Sequence, residues 1–472
     1  MSLALTMALG LATPAFAGGS GRGKARKGRV EAGAGPAFPL KVSENGRYLV
    51  DQSGRPFRIQ GDSAQSLIAN LTYGEAEIYL AKRKAQGFNT VNVNLFEHKF
   101  AVKAPADRNG DAPFLKAGDF STPNEKYFAY ADRVIELAAS KGMLVSLAVM
   151  YLGYDGGDEG WWKELNAPEN TQAVCFKLGL YVGNRYKQRK NILWVIGGDY
   201  TPPAGSEGEA RLHKFMEGVK AAGGAQLWAG DWNAPCLSTD EAAFAAAMDL
   251  NAVYSSGSRE HQGATYEEAR RAYAYSPAHP AYLKETGYED EAWVPGDAAS
   301  VRKYEYWAIL GGATEGGFFG NRDVWEFATG NWWSGFKFGH KRWQQALDSP
   351  GALDMMRLGK LLDEVRWYEL APLGGGVKIA DGQRTETAIA AATSDRRMLL
   401  AYVPPTAKKG AWVTVEAGWA EGMRGRWYDP TSGEYKEIRG ESARNGQGTE
   451  FVTPGANAAG ASDWVLVLEK AK

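Results

Sequence analysis

From position 38 onward, short β-branched runs alternate with longer amphipathic stretches. Residues 47–50 and 56–60 read as strands around the turn Asp51-Gln-Ser-Gly54, and the second runs into Gly61-Asp-Ser63. Thr72 followed by Glu75 is a capping-box pattern opening a helix, with Ile78, Leu80 and Ala85 on its apolar face. Further strands are expected at 90–94, 143–150, 192–196, 226–229, 250–254, 280–284 and 317–319, with helices between most of them, including 125–141 and 171–186. With 57–60 these make eight strands, the number of a (β/α)8 barrel, and right-handed crossovers leave few other topologies. From about residue 374 the pattern changes to short β segments at 387–392, 397–402, 412–415, 425–428 and 464–468, separated by Gly, Pro and Asn turns. The expected fold class is therefore α/β, a TIM barrel over 37–373, followed by a small β-sandwich over 374–472.

The ends of the chain and its composition narrow the picture. Residues 1–17 are apolar, uncharged and close with Ala15-Phe16-Ala17, the pattern of a cleavable export signal, although a basic leading region is missing. Residues 18–36 are rich in Gly, Ala, Lys and Arg without periodicity, which predicts a disordered linker. The expected location is periplasmic or extracellular. A net charge of −1 provides no field to recruit nucleic acid, and no apolar run is long enough to span a bilayer. The 16 Trp and 22 Tyr suit stacking on neutral hydroxylated ligands such as sugars, or equally a core rich in rings. Two cysteines, Cys175 and Cys236, make no disulfide framework, though they leave one bridge open.

In a parallel barrel the chemistry gathers at the carboxyl ends of the strands. Those ends supply Asp62, then Asn94 and Glu97, Tyr151, Asp199, Asp231 with Trp232, Tyr254, Glu285, and finally Asn321 with Trp325; Tyr288 follows the seventh strand. Asp199 and Glu285 stand out because strands four and seven face one another across a barrel mouth. Glycoside hydrolysis needs one carboxyl that donates a proton to the leaving oxygen and one that stays ionised beside the anomeric carbon. Trp194 and Tyr200 are candidates to raise the pKa of Asp199 by excluding water. Plainer roles stay open: Asp199 as a helix cap, Glu285 as an ion-pair partner of Arg302, and Glu289 as a rival for the catalytic position.

Other chemistries fit less well. The five histidines, His98, His213, His261, His279 and His340, lack zinc-ligand spacing, so no metal or cofactor is expected. Glu97-His98 and His213 read as loop and helix residues. No G-x-S-x-G elbow occurs, and the Gly-rich stretches 153–160 and 311–317 lack phosphate-loop spacing.

Several segments in order resemble one family. Gly61-Asp-Ser63, Trp194-Val-Ile-Gly-Gly-Asp199, Glu285-Thr-Gly-Tyr-Glu289 and the stretch 301–312 are similar to the apiosidase-like glycoside hydrolases over roughly residues 38–372. The resemblance implies a (β/α)8 barrel, removal of apiose from plant pectin, Asp199 as acid/base and Glu285 as nucleophile. The strand-four and strand-seven placement also resembles retaining barrel glycosidases. The chain departs from the family at Gln65, where relatives carry an aromatic residue, at Tyr254-Ser-Ser-Gly-Ser258, where they carry a histidine, and at the loop Gly230-Asp-Trp-Asn233. Such changes at a hydrogen-bonding rim are expected to alter the sugar accepted. The segments 426–433 and 463–467 resemble the collagen-binding-like module that accompanies these barrels, with Trp427 and Trp464 as core residues or as a sugar platform. The expected protein is an exported, exo-acting hydrolase of a terminal furanosidic sugar in a polysaccharide or oligosaccharide. The alternative is a non-catalytic carbohydrate-binding or adhesion protein.

Overall fold

The computed structural model describes residues 35–255, 264–292, 294–329, 341–373, 377–379, 388–405, 412–416, 419–438, 444–445 and 448–470. The expected export signal and nearly all of the expected linker lie outside the described residues, as do His261, His340 and positions 256–258.

The eight parallel strands are β1 (Ile59–Ser63), β2 (Thr90–Asn94), β3 (Leu144–Ala148), β4 (Ile192–Gly197), β5 (Trp228–Asp231), β6 (Asn251–Tyr254), β7 (Ala281–Glu285) and β8 (Gly316–Phe319). Each expected barrel strand is present, and β8 pairs back onto β1 through Gly316↔Ile59 to Phe319↔Asp62. One seam has no regular ladder. Between β5 and β6 the short strand Cys236–Leu237 pairs antiparallel with β6. There the Ser238 hydroxyl donates to the Gly230 carbonyl (2.7 Å) and accepts from the amides of Gly230 (3.0 Å) and Ala252 (2.9 Å). Cys236 is buried in this seam and Cys175 inside a helix, both as free thiols, so the open bridge is not formed.

Strand alternation assigns the faces. Ile59, Leu144, Leu193, Val195, Ala229, Ala252, Tyr282 and Phe318 fill the barrel interior, and Leu40, Leu49 and Phe57 from the N-terminal hairpins plug its floor. The alternate residues Val91, Val93, Val145, Leu147, Trp194 and Trp228 point outward beneath the helices. Helix α1 (Tyr73–Ala85) starts at the expected Thr72–Glu75 capping box. Its buried face is Ala76, Tyr79, Leu80 and Arg83, however, while Ile78 is exposed. Of the expected face Leu80 is buried while Ile78 and Ala85 are exposed, and a buried arginine, paired inside the protein, takes a position that hydropathy assigns to solvent. Helices α2 (Glu125–Ser140) and α3 (Gln172–Tyr186) fall where periodicity places them. They are followed by α4 (Glu207–Ala221), α5 (Ala264–Ala274), α6 (Ala298–Gly311) and α7 (Pro350–Asp363).

The C-terminal residues form two antiparallel sheets, one of six strands and one of four. Trp427 and Trp464 sit in the shared core with Leu399, Val413, Phe451 and Leu466, so they are packing residues. The other face of the six-stranded sheet packs on α6: Tyr306 stacks on Tyr402 with centroids 4.5 Å apart and planes 2° from parallel. Among the described residues no helix is long and apolar enough to cross a membrane.

Candidate active site

The carboxylate at the end of β4 is aimed by an unusual turn. Gly197 and Gly198 take φ of 87° and 135°, and Asp199 follows at 54°, a left-handed conformation that costs a non-glycine residue energy. A side chain at Gly197 would meet the Asp231 carbonyl at 2.2 Å, and one at Gly198 would meet the Tyr151 ring at 2.5 Å. The pair of glycines therefore lets the chain pass between β3 and β5 while Asp199 swings over the barrel mouth. This is not a helix cap, since α4 is capped by Ser206.

Two phenols receive the side chain. The Tyr151 hydroxyl donates to Asp199 Oδ2 at 2.8 Å, and the Tyr254 hydroxyl donates to the same carboxyl. Opposite, Glu285 ends β7 with its side chain 18 % exposed, beside the Tyr288 hydroxyl. Tyr288 is held in turn by Gln65 Nε2 at 2.7 Å and by Ser63 Oγ at 3.1 Å. Asp231 comes up from β5 and pairs with the buried Lys284 ammonium at 3.0 Å, and the same ammonium lies 3.5 Å from Glu285. Among the described residues the Oδ1 atoms of Asp199 and Asp231 are buried and meet no hydrogen-bond donor.

Burial pushes Asp199 up to about 6, with the like charge of Asp231 adding to it and the Tyr254 and Tyr151 hydroxyls opposing it. Burial also pushes Glu285 up to about 8, opposed by Lys284 and reinforced by Asp199 and Asp231. Both carboxyls act on Tyr151 and Tyr254, so the two ends of the site converge on one space. Of the two rings expected to exclude water from Asp199, Tyr200 packs on Trp162 with centroids 4.9 Å apart. Trp194 points outward and stacks on Trp228 at 5.8 Å, on the far side of its strand from Asp199.

Four residues expected to bind substrate are occupied by the fold. Asp62 is fully buried on the outer face of β1, paired with Arg83 at 2.6 Å and hydrogen-bonded by Tyr79. Glu97 accepts the amides of His98 (2.9 Å), Lys99 and Phe100 (both 3.3 Å) and the Ser66 hydroxyl (3.0 Å), anchoring its loop. Trp232 is buried against Phe244 and donates to the Ser238 carbonyl at 3.1 Å. Asn321 caps the turn at Asp323 (2.9 Å) and donates to Glu289 (3.1 Å). Asn94 points inward and donates to Glu97 at 3.2 Å, while Trp325 is half-buried beside Phe100, ring centroids 4.9 Å apart. The rival Glu289 is consumed by Asn321 and the Gly351 amide at 2.7 Å. Arg302 lies on α6 far from any bond to Glu285, pairing with Asp463 (2.8 Å) and Asp354 (2.6 Å). His98 meets Glu164 at 3.1 Å in a loop and His213 meets Glu217 at 3.2 Å on α4, as their neighbours in sequence suggest. The sequence reading missed Lys284, because a lysine inside a strand reads as a solvent-facing position until the strand is seen to line a barrel.

The family described as "Apiosidase-like, catalytic domain" matches residues 43–369, and that described as "Putative collagen-binding domain of a collagenase" matches residues 377–469. No curated protein matches the sequence. Among solved structures, a glycoside hydrolase family 5 protein from Bacteroides vulgatus superposes with a TM-score of 0.77 at 22 % identity, covering 91 % of this chain and 93 % of that one. A second, titled a glycoside hydrolase, gives 0.75 at 22 % identity over 92 % and 97 % of the two chains. These share the fold. With most of its barrel matched by that model, the chain belongs to the apiosidase-like family of glycoside hydrolases.

Proposed function

We propose that this hydrolase removes a terminal furanosidic sugar, of the apiose or arabinofuranose type, from a complex polysaccharide outside the cytoplasm, with retention of configuration. The observation that carries the reading is the convergence of Asp199 and Glu285 from β4 and β7 on one space, each raised by burial, with Asp199 fixed by the Tyr151 hydroxyl. Asp199 protonates the leaving oxygen, Glu285 attacks the anomeric carbon, and Asp199 then takes a proton from the water that releases the sugar. Asp231 Oδ1 is positioned to accept a sugar hydroxyl while Lys284 holds Oδ2. A furanose is favoured by the family match, and export by the apolar, uncharged stretch 1–17.

Purified protein assayed against aryl furanosides of apiose, arabinose and galactose, with the first-formed anomer read by proton NMR, tests this. Release of one furanose with its configuration retained is expected. Release of the opposite anomer would contradict the retaining mechanism, and hydrolysis of pyranosides alone would contradict the substrate class.

A further inference from the structure

Strand β7 carries two site residues in succession. Glu285 ends it, and Lys284, one residue earlier, points into the barrel with its side chain 4 % exposed. An ammonium taken out of water is stabilised only by close carboxylates, and here it has two: Asp231 Oδ2 at 3.0 Å and Glu285 Oε2 at 3.5 Å. Asp231 is equally buried, at 6 % exposure. Structural neutralisation of Asp231 would need one contact only. The second contact ties the same cation to the hydrolytic pair.

The groups around this ammonium are Asp231 from β5, Asp199 after β4, and Glu285 and Tyr282 from β7. The phenols of Tyr151, Tyr254 and Tyr288 surround the two hydrolytic carboxyls. Three carboxyls thus share one cation. With Asp231 neutralised by Lys284, the remaining pair settles at one proton and one negative charge, the state that a two-carboxylate hydrolase requires. Without the cation, the same closed site would favour taking up a second proton and would lose its ionised group.

We propose that Lys284 is a positioning residue that sets the proton count of the Asp199–Glu285 pair, its ammonium anchored by Asp231 so that one of the two carboxyls stays ionised at neutral pH. The proposal rests on the glycosidase reading of the site, but its test does not require turnover. Protein labelled with carbon-13 at Asp and Glu side-chain carboxyls is titrated by NMR, with the two signals identified by their loss in D199N and E285Q. In K284M both midpoints are expected to rise, the lower by about one pH unit or more, and in K284R to stay near the parent. In D231N both are expected to fall. If K284M does not fold, D231N/K284M is compared with D231N, and its midpoints are expected to be the higher of the two. Midpoints unchanged in K284M, or equal in that second comparison, would overturn the proposal; a purely structural lysine would lower the melting temperature and leave the titration in place. A parent that titrates as described yet releases no sugar from any substrate would count against the glycosidase reading instead.

Discussion

Asp199 shows how much a single residue's setting decides. Its positive φ aims it over the mouth, and burial together with the neighbouring Asp231 lifts an ordinary carboxyl to about 6 against the pull of its two phenol neighbours. Because Asp199 and Glu285 feel each other, they titrate as a unit, losing their two protons in two coupled steps with a lower and an upper value, both held above the ordinary carboxylate range by burial; between the steps the pair keeps one proton, which must sit on Asp199 for it to act as the acid. Hydrolysis needs the singly protonated form, so kcat/KM measured across pH should rise through the lower value and fall through the upper. Activity that climbs steadily into alkaline solution would contradict the shared proton. Tyr151→Phe removes one charge-assisted donor, worth about 1.5–3 kcal/mol. It should cut kcat/KM by roughly ten- to a hundredfold with the melting temperature nearly unchanged; kinetics beside a thermal melt checks this.

At the level of elements, the strands were legible because β-branched runs between turn signals leave little alternative, and their carboxyl ends marked the mouth. The faces were not. A strand end in sequence does not say whether a residue points into the mouth or out beneath a helix, so Asp62 fell on the outer face and Trp194 behind Asp199. Loop carboxylates and amides such as Glu97 and Asn321 gave no sign that backbone amides and a neighbouring side chain already satisfy them. The pair proposed for catalysis was readable because β4 and β7 oppose each other in any barrel of this kind, whereas Lys284 became meaningful only once its strand was known to face inward. The β4 turn itself makes a prediction. Gly198→Ala adds a methyl where the Tyr151 ring stands, at a φ that strains any side chain by about 1–3 kcal/mol, so it should displace Asp199 and lower kcat well before it unfolds the barrel. Circular dichroism and steady-state rates on the variant separate the two effects.

For the whole molecule, the C-terminal module is bound to the barrel through a buried network. Arg302 on α6 bridges Asp354 and Asp463, Tyr402 donates to Asp463 at 3.0 Å, and the Tyr428 hydroxyl donates to the Arg357 carbonyl at 2.8 Å. Its tryptophans are spent on its own core, which fits a buttress. Arg302→Met leaves buried Asp463 without a cation, while Asp354 keeps Arg357 at 2.7 Å, and should cost about 3–5 kcal/mol, seen as a lower denaturation midpoint, while the folded fraction keeps its turnover because the network lies away from the mouth. A large fall in kcat per folded molecule would instead show that the module shapes the site.

The central claim is that Asp199 and Glu285 perform the hydrolysis, and sugar release from a panel of pectic and other complex polysaccharides by the parent, Asp199→Asn and Glu285→Gln proteins tests it most directly. The expected result is release by the parent and a loss of at least about a hundred- to ten-thousandfold in each variant, with polysaccharide binding by calorimetry largely intact. Release by both variants at the parent's rate would contradict it.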